Sequence, residues 1–160
     1  MIVRTVEASD AIALTALINE IIAIGCTTAH QTAFTPARFG EHYLTSPDAV
    51  CCHVVINAEG GALGFQVLGL HPELPAGWLD IGTYVRLDAR GNGVGSALFA
   101  ATLASAHWNN ATAINATIRA DNVLGLGYYR RMGFVDCASE PDFRLQDGQQ
   151  VGRISKRYDL

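Results

Sequence analysis

Charge is scarce in this 160-residue chain, with Asp, Glu, Lys and Arg making up 16% of it, against about 25% in an ordinary globular domain. The cations are scattered, and the only adjacent pairs are Arg130-Arg131 and Lys156-Arg157. With a formal net charge of −4 there is no basic face for a phosphate backbone, which argues against nucleic acid as a partner. The four cysteines, Cys26, Cys51, Cys52 and Cys137, include no C-x-x-C and no zinc-finger spacing with histidine. Reduced, mostly buried thiols and no metal are therefore the expectation. Adjacent Cys51 and Cys52 would point to opposite faces of a strand. The first apolar stretch is broken by Asn19-Glu20, and the N-terminus carries Glu7 and Asp10. That pattern predicts neither a signal peptide nor a membrane span, so a cytoplasmic protein is expected. Repeats and low-complexity tracts are absent.

What is present is apolar: 49% of residues are hydrophobic, which excludes disorder. The length is that of one domain, residues 1–160, burying roughly 70% of the surface of its unfolded chain without help from disulfide or metal. A short strand is predicted at 1–5. Ser9 or Asp10 caps a helix with Leu14, Leu17, Ile18, Ile21 and Ile22 on one face, ended by Gly25, and Asn19 and Glu20 on the far side. Thr35-Pro36 opens a second, short helix that stops before Ser46-Pro47. Strands follow at 50–56 and 62–70, joined by a turn over Asn57 to Gly61, and at Trp78 to Val85, where the interior Gly82 suggests a bulge. From there the order is helix (94–108), strand (111–118), helix (122–132) and strand (134–137), with a last strand over 152–159. The fold class read from this order is α/β, with antiparallel strands first and a βαβαβ-like half after them.

The segment Val85-Arg86-Leu87-Asp88-Ala89-Arg90-Gly91-Asn92-Gly93-Val94-Gly95-Ser96 runs from a strand through three alternating glycines into a helix. Such a turn cradles an anion: glycines turn N–H groups inward, the helix adds its positive end, and Arg90 adds a fixed charge. The dinucleotide fingerprint G-x-G-x-x-G fails at Ser96, and no Walker loop is present.

Arg90, Gly93 and Gly95 match the acetyl-CoA motif [RQ]-x-x-G-x-[GA] of the GNAT acyltransferases. Downstream, Asn122-Val123-Leu124-Gly125-Leu126-Gly127-Tyr128-Tyr129-Arg130-Arg131-Met132-Gly133-Phe134 resembles that family's N-x-x-[AS]-x-x-x-Y-x-x-x-G-F segment. The element order resembles the family's over nearly the whole chain. Within the family, Leu17-Ile18-Asn19-Glu20, Thr27-Thr28-Ala29 and Asp80-Ile81-Gly82-Thr83-Tyr84-Val85 look most like the phosphinothricin and amino-acid N-acetyltransferase group. Two positions depart: Gly125 stands where Ala or Ser is usual, which weakens the helix by up to about 1 kcal/mol while allowing closer approach of a ligand, and Asp80 stands where the group has Glu.

The resemblance implies a mixed sheet of about seven strands with four helices, splayed between the fourth and fifth strands, and acetyl-CoA as co-substrate lying in the splay. Its pantetheine arm would pair with main-chain groups of Thr83, Tyr84 and Val85 as an added strand. Asn122 would hold the pantetheine amide, and the N–H groups of Gly91, Asn92, Gly93, Val94, Gly95 and Ser96 the pyrophosphate. Amine acetylation needs a neutral amine, a polarised thioester carbonyl and a protonated leaving sulfur. The resemblance makes Tyr129 the acid, with Tyr128 a core residue, and Asp80 the first candidate base. His30 and His71, in loops beside the acceptor cleft, are the other base candidates, and together with Glu20 they are candidate substrate contacts. The implied activity is acetyl transfer to a primary amine of a small molecule, amino acid or amino-acid-like, by direct attack in a ternary complex. A non-catalytic acyl-CoA sensing module and an enzyme acetylating protein N-termini or lysines are the alternatives. A homodimer is the family's expectation.

Overall fold

The computed structural model describes all 160 residues. Seven strands form one sheet in the order β1-β2-β3-β4-β5-β7-β6. They are β1 (Ile2–Thr5), β2 (Ala49–Ile56), β3 (Ala62–Gly69), β4 (Trp78–Val85), β5 (Ala113–Arg119), β6 (Val135–Glu140) and β7 (Arg153–Asp159). Four helices accompany them: α1 (Ala11–Ile24), α2 (Pro36–Tyr43), α3 (Val94–Trp108) and α4 (Val123–Arg131). Only β4 and β5 pair in parallel, and the other neighbours are antiparallel. The splayed seven-strand, four-helix architecture is as expected, and no helix is long and apolar enough to cross a membrane.

Local chemistry accounts for most element ends. Thr35 accepts the Arg38 N–H at the start of α2, with Pro36 in its first turn, where a proline loses no helical bond. Gly25 closes α1 with φ +76°, a conformation in which a side chain would clash with its own backbone. The cap expected at Ser9 or Asp10 is different. A 3-10 turn at Ala8–Asp10 precedes α1, and the Asp10 carboxylate accepts the Glu7 N–H at 2.8 Å and both guanidinium nitrogens of Arg4 at 2.7 and 2.8 Å, so it ties strand to helix and does not cap α1. Nor does Gly82 mark a bulge: β3 and β4 pair without a break from Gly64–Val85 to Gly69–Asp80. The irregular rungs lie between β2 and β3 and between β6 and β7.

Alternating side chains send the sheet's apolar groups to its two faces, with a smaller third cluster of Val55, Ala89, Val94 and Leu98 under the start of α3. On one face α1 and α2 cover Cys52, Val54 and Phe65 with Leu14, Ile18 and Phe39. On the other, α3 and α4 cover Leu79, Ile81, Ile114 and Ala116 with Phe99 and Tyr129. Cys51 belongs to the second core and Cys52 to the first, the opposite faces that adjacency on a strand requires. All four cysteines are free, but only Cys52 is buried and Cys26 and Cys137 are exposed, so the expectation of mostly buried thiols is corrected.

Phe65 shows what the first core supports. It is fully buried, meets Phe39 edge-on at 5.4 Å and stacks on Tyr84 at 4.7 Å with 20° between the rings. Phe65→Ala should cost about 3–5 kcal/mol of stability, the usual loss for an aromatic deleted from a core, measured by denaturant unfolding. It should also loosen Tyr84, whose ring it backs.

Candidate active site

Three rungs hold β4 to β5: Trp78–Ala113, Leu79–Ile114 and Asp80–Asn115. Beyond them the strands part, although β4 runs on to Val85 and stays paired with β3 on its other edge. An exposed half-edge of β4 thus faces a cleft of about 1280 Å³, larger than the roughly 300–1000 Å³ that suits one drug-sized molecule. The cleft is continuous from the turn before α3, past the parted strands, to the loops around His30 and His71.

At one end lies the glycine turn. Gly91 and Gly93 have φ +79° and +80°, left-handed values that a branched side chain tolerates poorly. The first N–H of α3 to reach a carbonyl is that of Ala97, to Gly93 at 3.0 Å. The N–H groups of Gly91 to Ser96 make no turn or cap bond, as expected for a helix start that can receive an anion. Arg90 and Arg131 line this end and stand outside all six ion pairs of the chain. These features fit a pyrophosphate.

In the middle, Thr83 points to the α4 side, where its Oγ1 lies 2.8 Å from Tyr129 Oη and accepts from Gln66 Nε2 at 2.7 Å. Gln66 also reaches Tyr128 Oη at 3.2 Å, and Tyr128 donates to the Gly95 carbonyl at 2.9 Å. With Gln66 on one lone pair of Thr83, either hydroxyl can donate across the Thr83–Tyr129 pair; when Thr83 donates, the phenol proton is left for the cleft. Burial pushes the Tyr129 phenol well above its usual value, partly relieved by the Thr83 bond, so it stays protonated. Tyr128 packs its ring against the second core, as expected, and its hydroxyl in addition anchors α4 to the first turn of α3.

On the opposite face, Asp80 accepts from Asn115 Nδ2 at 2.7 Å. Burial raises its carboxyl above the ordinary value, and the Asn115 bond and nearby His71 work against that rise. Tyr84, four residues on, lies back over Gly82, its Oη 3.4 Å from where a Cβ would stand there. A hydrogen-bonded chain then leads away: Tyr84 Oη to Tyr43 Oη at 3.1 Å, and Tyr43 Oη to His30 Nε2 at 3.0 Å. Burial, with His42 and Arg38 nearby, pulls His30 down to about 4, so its ring is neutral near pH 7.

The cleft walls include Asp80, Thr83, Tyr84, Val85, Asn122 and Tyr129, and also Arg90, His30 and His71. Asn92 and Glu20 are not on them; Glu20 is exposed on α1, so a substrate contact there is corrected. Its neighbour Asn19 is not on a far side either, but clips the backbone of Phe34 through both ends of its amide at 2.9 and 2.8 Å. Asn122 caps α4 by accepting the Gly125 N–H and donates to the Thr27 carbonyl. A Cβ at 125 would come 2.5 Å from Asn122 Nδ2; the close approach that glycine permits there is that of the cap, not of a ligand. Gln66, Asn115, Tyr43 and the Thr83 hydroxyl were not anticipated. Gln66 and Asn115 did carry a signal, each being a lone amide inside an apolar strand run.

The depressed His30 has a consequence for stability. Unfolded, the ring protonates near 6.5, and in the fold only near 4, so between those values the unfolded chain binds more protons and stability falls as pH is lowered. His30→Gln should remove on the order of 1–2 kcal/mol of the difference between pH 7 and pH 4.5, less than full linkage because the ring is partly open to solvent. Denaturant unfolding of both proteins at the two pH values measures it.

The sequence profile of the acetyltransferase (GNAT) domain matches residues 49–136, more than half of the chain. No curated protein sequence matches it. Among solved structures, a ribosomal-protein-alanine N-acetyltransferase from Brucella melitensis superposes with TM-score 0.87 at 20% identity, over 100% of both chains. An N-acetyltransferase from Staphylococcus aureus gives 0.87 at 19%, over 99% of this chain and 97% of that one. A phosphinothricin acetyltransferase from Sinorhizobium meliloti, solved in complex with acetyl-CoA, gives 0.87 at 17%, over 99% and 88%. At such identities the likeness speaks to the fold, and the profile match speaks to the family. With the glycine turn, the parted strands and the Asn122-to-Phe134 segment all in place, the chain belongs to the GNAT acetyltransferases, enzymes that take acetyl-CoA as acetyl donor.

Proposed function

We propose that residues 1–160 form one N-acetyltransferase domain that moves the acetyl group of acetyl-CoA to a primary amine of a small molecule by direct attack in a ternary complex. A homodimer, which rests on the family resemblance, and a cytoplasmic location, which rests on the N-terminal sequence pattern, are part of this reading. The observation that carries it is the pair of hydroxyl networks on the two faces of β4, Thr83–Tyr129 on one and Tyr84–Tyr43 on the other, meeting at the parted strands beside Asp80. Two reactants brought to one cleft from opposite sides gain the advantage of an intramolecular reaction.

Acetyl-CoA supplies an activated acetyl thioester. The turn from Arg90 to Ser96 receives its pyrophosphate through N–H groups and the Arg90 charge. The free half-edge of β4 at Thr83, Tyr84 and Val85 offers main-chain groups to the pantetheine amides, as a peptide strand would be added, and an N–H near Val85 polarises the carbonyl. Asn122 keeps one amide hydrogen and one lone pair beyond its cap and Thr27 bonds, enough for a pantetheine amide. On the acceptor face Asp80 takes the proton of the ammonium, directly or through a water. As the C–N bond forms and the C–S bond breaks, the Tyr129 phenol gives its proton to sulfur, with Thr83 donating to the phenol oxygen and easing the charge left behind; the second proton shed by the acylated nitrogen returns to the phenolate through water, and Asp80 releases the first to solvent.

The reading is tested by acetyl-CoA consumption with amino acids, phosphinothricin, amino sugars and polyamines, where turnover of none of them rejects it. Tyr129→Phe keeps the ring and removes the proton, so kcat should fall by about 10² to 10⁴ while acetyl-CoA affinity stays within a few-fold; a loss under about threefold removes Tyr129 from the chemistry. Asp80→Asn should hurt most at low pH, where the acceptor is ammonium, and its deficit should shrink as pH rises and solvent supplies the neutral amine. A pH-rate profile parallel to wild type shifts the base to His30, His71 or a bound water.

A further inference from the structure

The charges on the cleft walls are sorted by end. The end formed by the glycine turn and α4 carries Arg90 and Arg131, both free of ion pairs, and no carboxylate. The acceptor end carries Asp48, Glu73 and Asp80. Ala49, Gly69 and Asp80 are successive partners across β2, β3 and β4, which puts Asp48 about two strand spacings, roughly 10 Å, from Asp80. Glu73 follows in the loop that holds His71, whose Nδ1 accepts the Glu73 N–H at 3.3 Å.

Two arginines also reach this wall, and both are committed. Arg119 gives Nε and Nη2 to Asp121 at 2.9 and 2.7 Å and Nη1 to the Thr28 carbonyl at 3.1 Å. Arg153 is bonded to Glu140 and lies over the Phe143 ring at 4.3 Å. The remaining polar groups near Asp80 and Tyr84 are the hydroxyls of Thr28, Thr117, Tyr43 and Tyr84, the neutral His30 ring, the Asn115 amide, whose Nδ2 is given to Asp80 and Thr117, and His71, whose Nδ1 is held by the Glu73 N–H. No permanent cation on the acceptor end is free to pair with a carboxylate.

We propose that the acceptor is an amine with no carboxylate on the carbon beside it, such as an aralkylamine, a guanidinoalkylamine or a polyamine, and not a free α-amino acid. This rests on the small-molecule reading above and narrows it. In an α-amino acid the carboxylate is fixed two bonds from the reacting nitrogen, so wherever Asp80 meets the amine the substrate carboxylate is carried beside Asp80. Like charges brought together in a partly desolvated cleft cost several kcal/mol, and a buried carboxylate without cationic or multiple N–H partners adds its own desolvation. An ammonium meets the reverse situation. Asp80 and the Tyr84 oxygen accept its N–H groups. If the His30 nitrogen accepts from Tyr43 and Tyr43 from Tyr84, the lone pairs of Tyr84 are left for the substrate. A second cationic group finds Asp48 or Glu73 at the rim.

The test compares pairs that differ only by the carboxylate and have a single reactive amine: tyramine with tyrosine, histamine with histidine, agmatine with arginine. Tyrosinamide serves as the neutral control of similar bulk. With the purified full-length protein and saturating acetyl-CoA, kcat/KM should favour the decarboxylated member by at least about tenfold, the factor that 1.4 kcal/mol produces, in every pair that turns over, and tyrosinamide should side with tyramine. The ammonium of an amino acid is the more acidic of the two, so intrinsic reactivity would push the other way. Glu73→Lys, at an exposed loop position, should narrow the gap by raising kcat/KM for the amino acids. An amino acid equal to or better than its amine, a preference under tenfold, or tyrosinamide as poor as tyrosine overturns the charge argument while leaving the small-molecule reading in place. No turnover of any of these compounds, alongside acetylation of a peptide N-terminus, overturns both.

Discussion

The three rungs between β4 and β5, ending where Asn115 donates to Asp80, are the constraint on which the site depends. Had the two strands stayed paired along their length, the N–H and C=O groups of Ile81 to Val85 would be spent on β5, and no cleft would cross the sheet. Because they part, one strand serves two partners: β3 holds it rigid along one edge while the other edge stays open. A parallel pair tolerates this because its strands are joined through α3 and not by a tight turn, so nothing in the connection forces the pairing to continue. Asp80 and Asn115 stand at the last rung, which fixes the carboxylate at the apex of the opening.

The pleat of β4 then divides the chemistry. Successive residues of a strand face opposite ways, so Thr83 turns to α4 and Tyr129 while Asp80, Gly82 and Tyr84 turn to α1 and α2. The two sets of groups thus lie on opposite faces of a single strand, each beside its own core. Each network is also tied to packing that lies away from the cleft. Tyr84 is backed by Phe65 in the first core, and Tyr129 meets Phe134 at 5.1 Å in the second. Hydroxyls held in this way, by rigid elements and by one another, are preorganised, and a site built on such groups acts without rearranging at the moment of reaction.

The sorting of charge follows the same axis. Unpaired arginines gather where a pyrophosphate would lie, and unpaired carboxylates where an ammonium would enter. Between them the groups are neutral: a phenol kept protonated by burial and an imidazole kept unprotonated by burial. In a chain with so few charges, leaving some unpaired on opposite ends of one cleft gives each end its own field, since low-dielectric walls focus it.

The order of elements, the helix ends at Thr35-Pro36 and Gly25, and the turn from Arg90 to Ser96 were legible in the sequence, because each depends on short-range chemistry: periodicity, a cap, glycines that permit left-handed backbone. The same holds for the place of Tyr129 and Asp80 on the cleft walls, since both sit in local motifs. The networks were not legible. Gln66 and Thr83 are 17 residues apart and Thr83 and Tyr129 are 46 apart, while Tyr43 and Tyr84 come from elements 41 residues apart. Which hydroxyl meets which is fixed by strand register and helix docking, and no local pattern encodes either. Sequence also misjudged Asn19 and Gly125, since a helical wheel assigns a face but not what covers it. The sequence determined which backbone could form, and only the packed sheet, parted after its third parallel rung, decided which side chains face each other across the cleft.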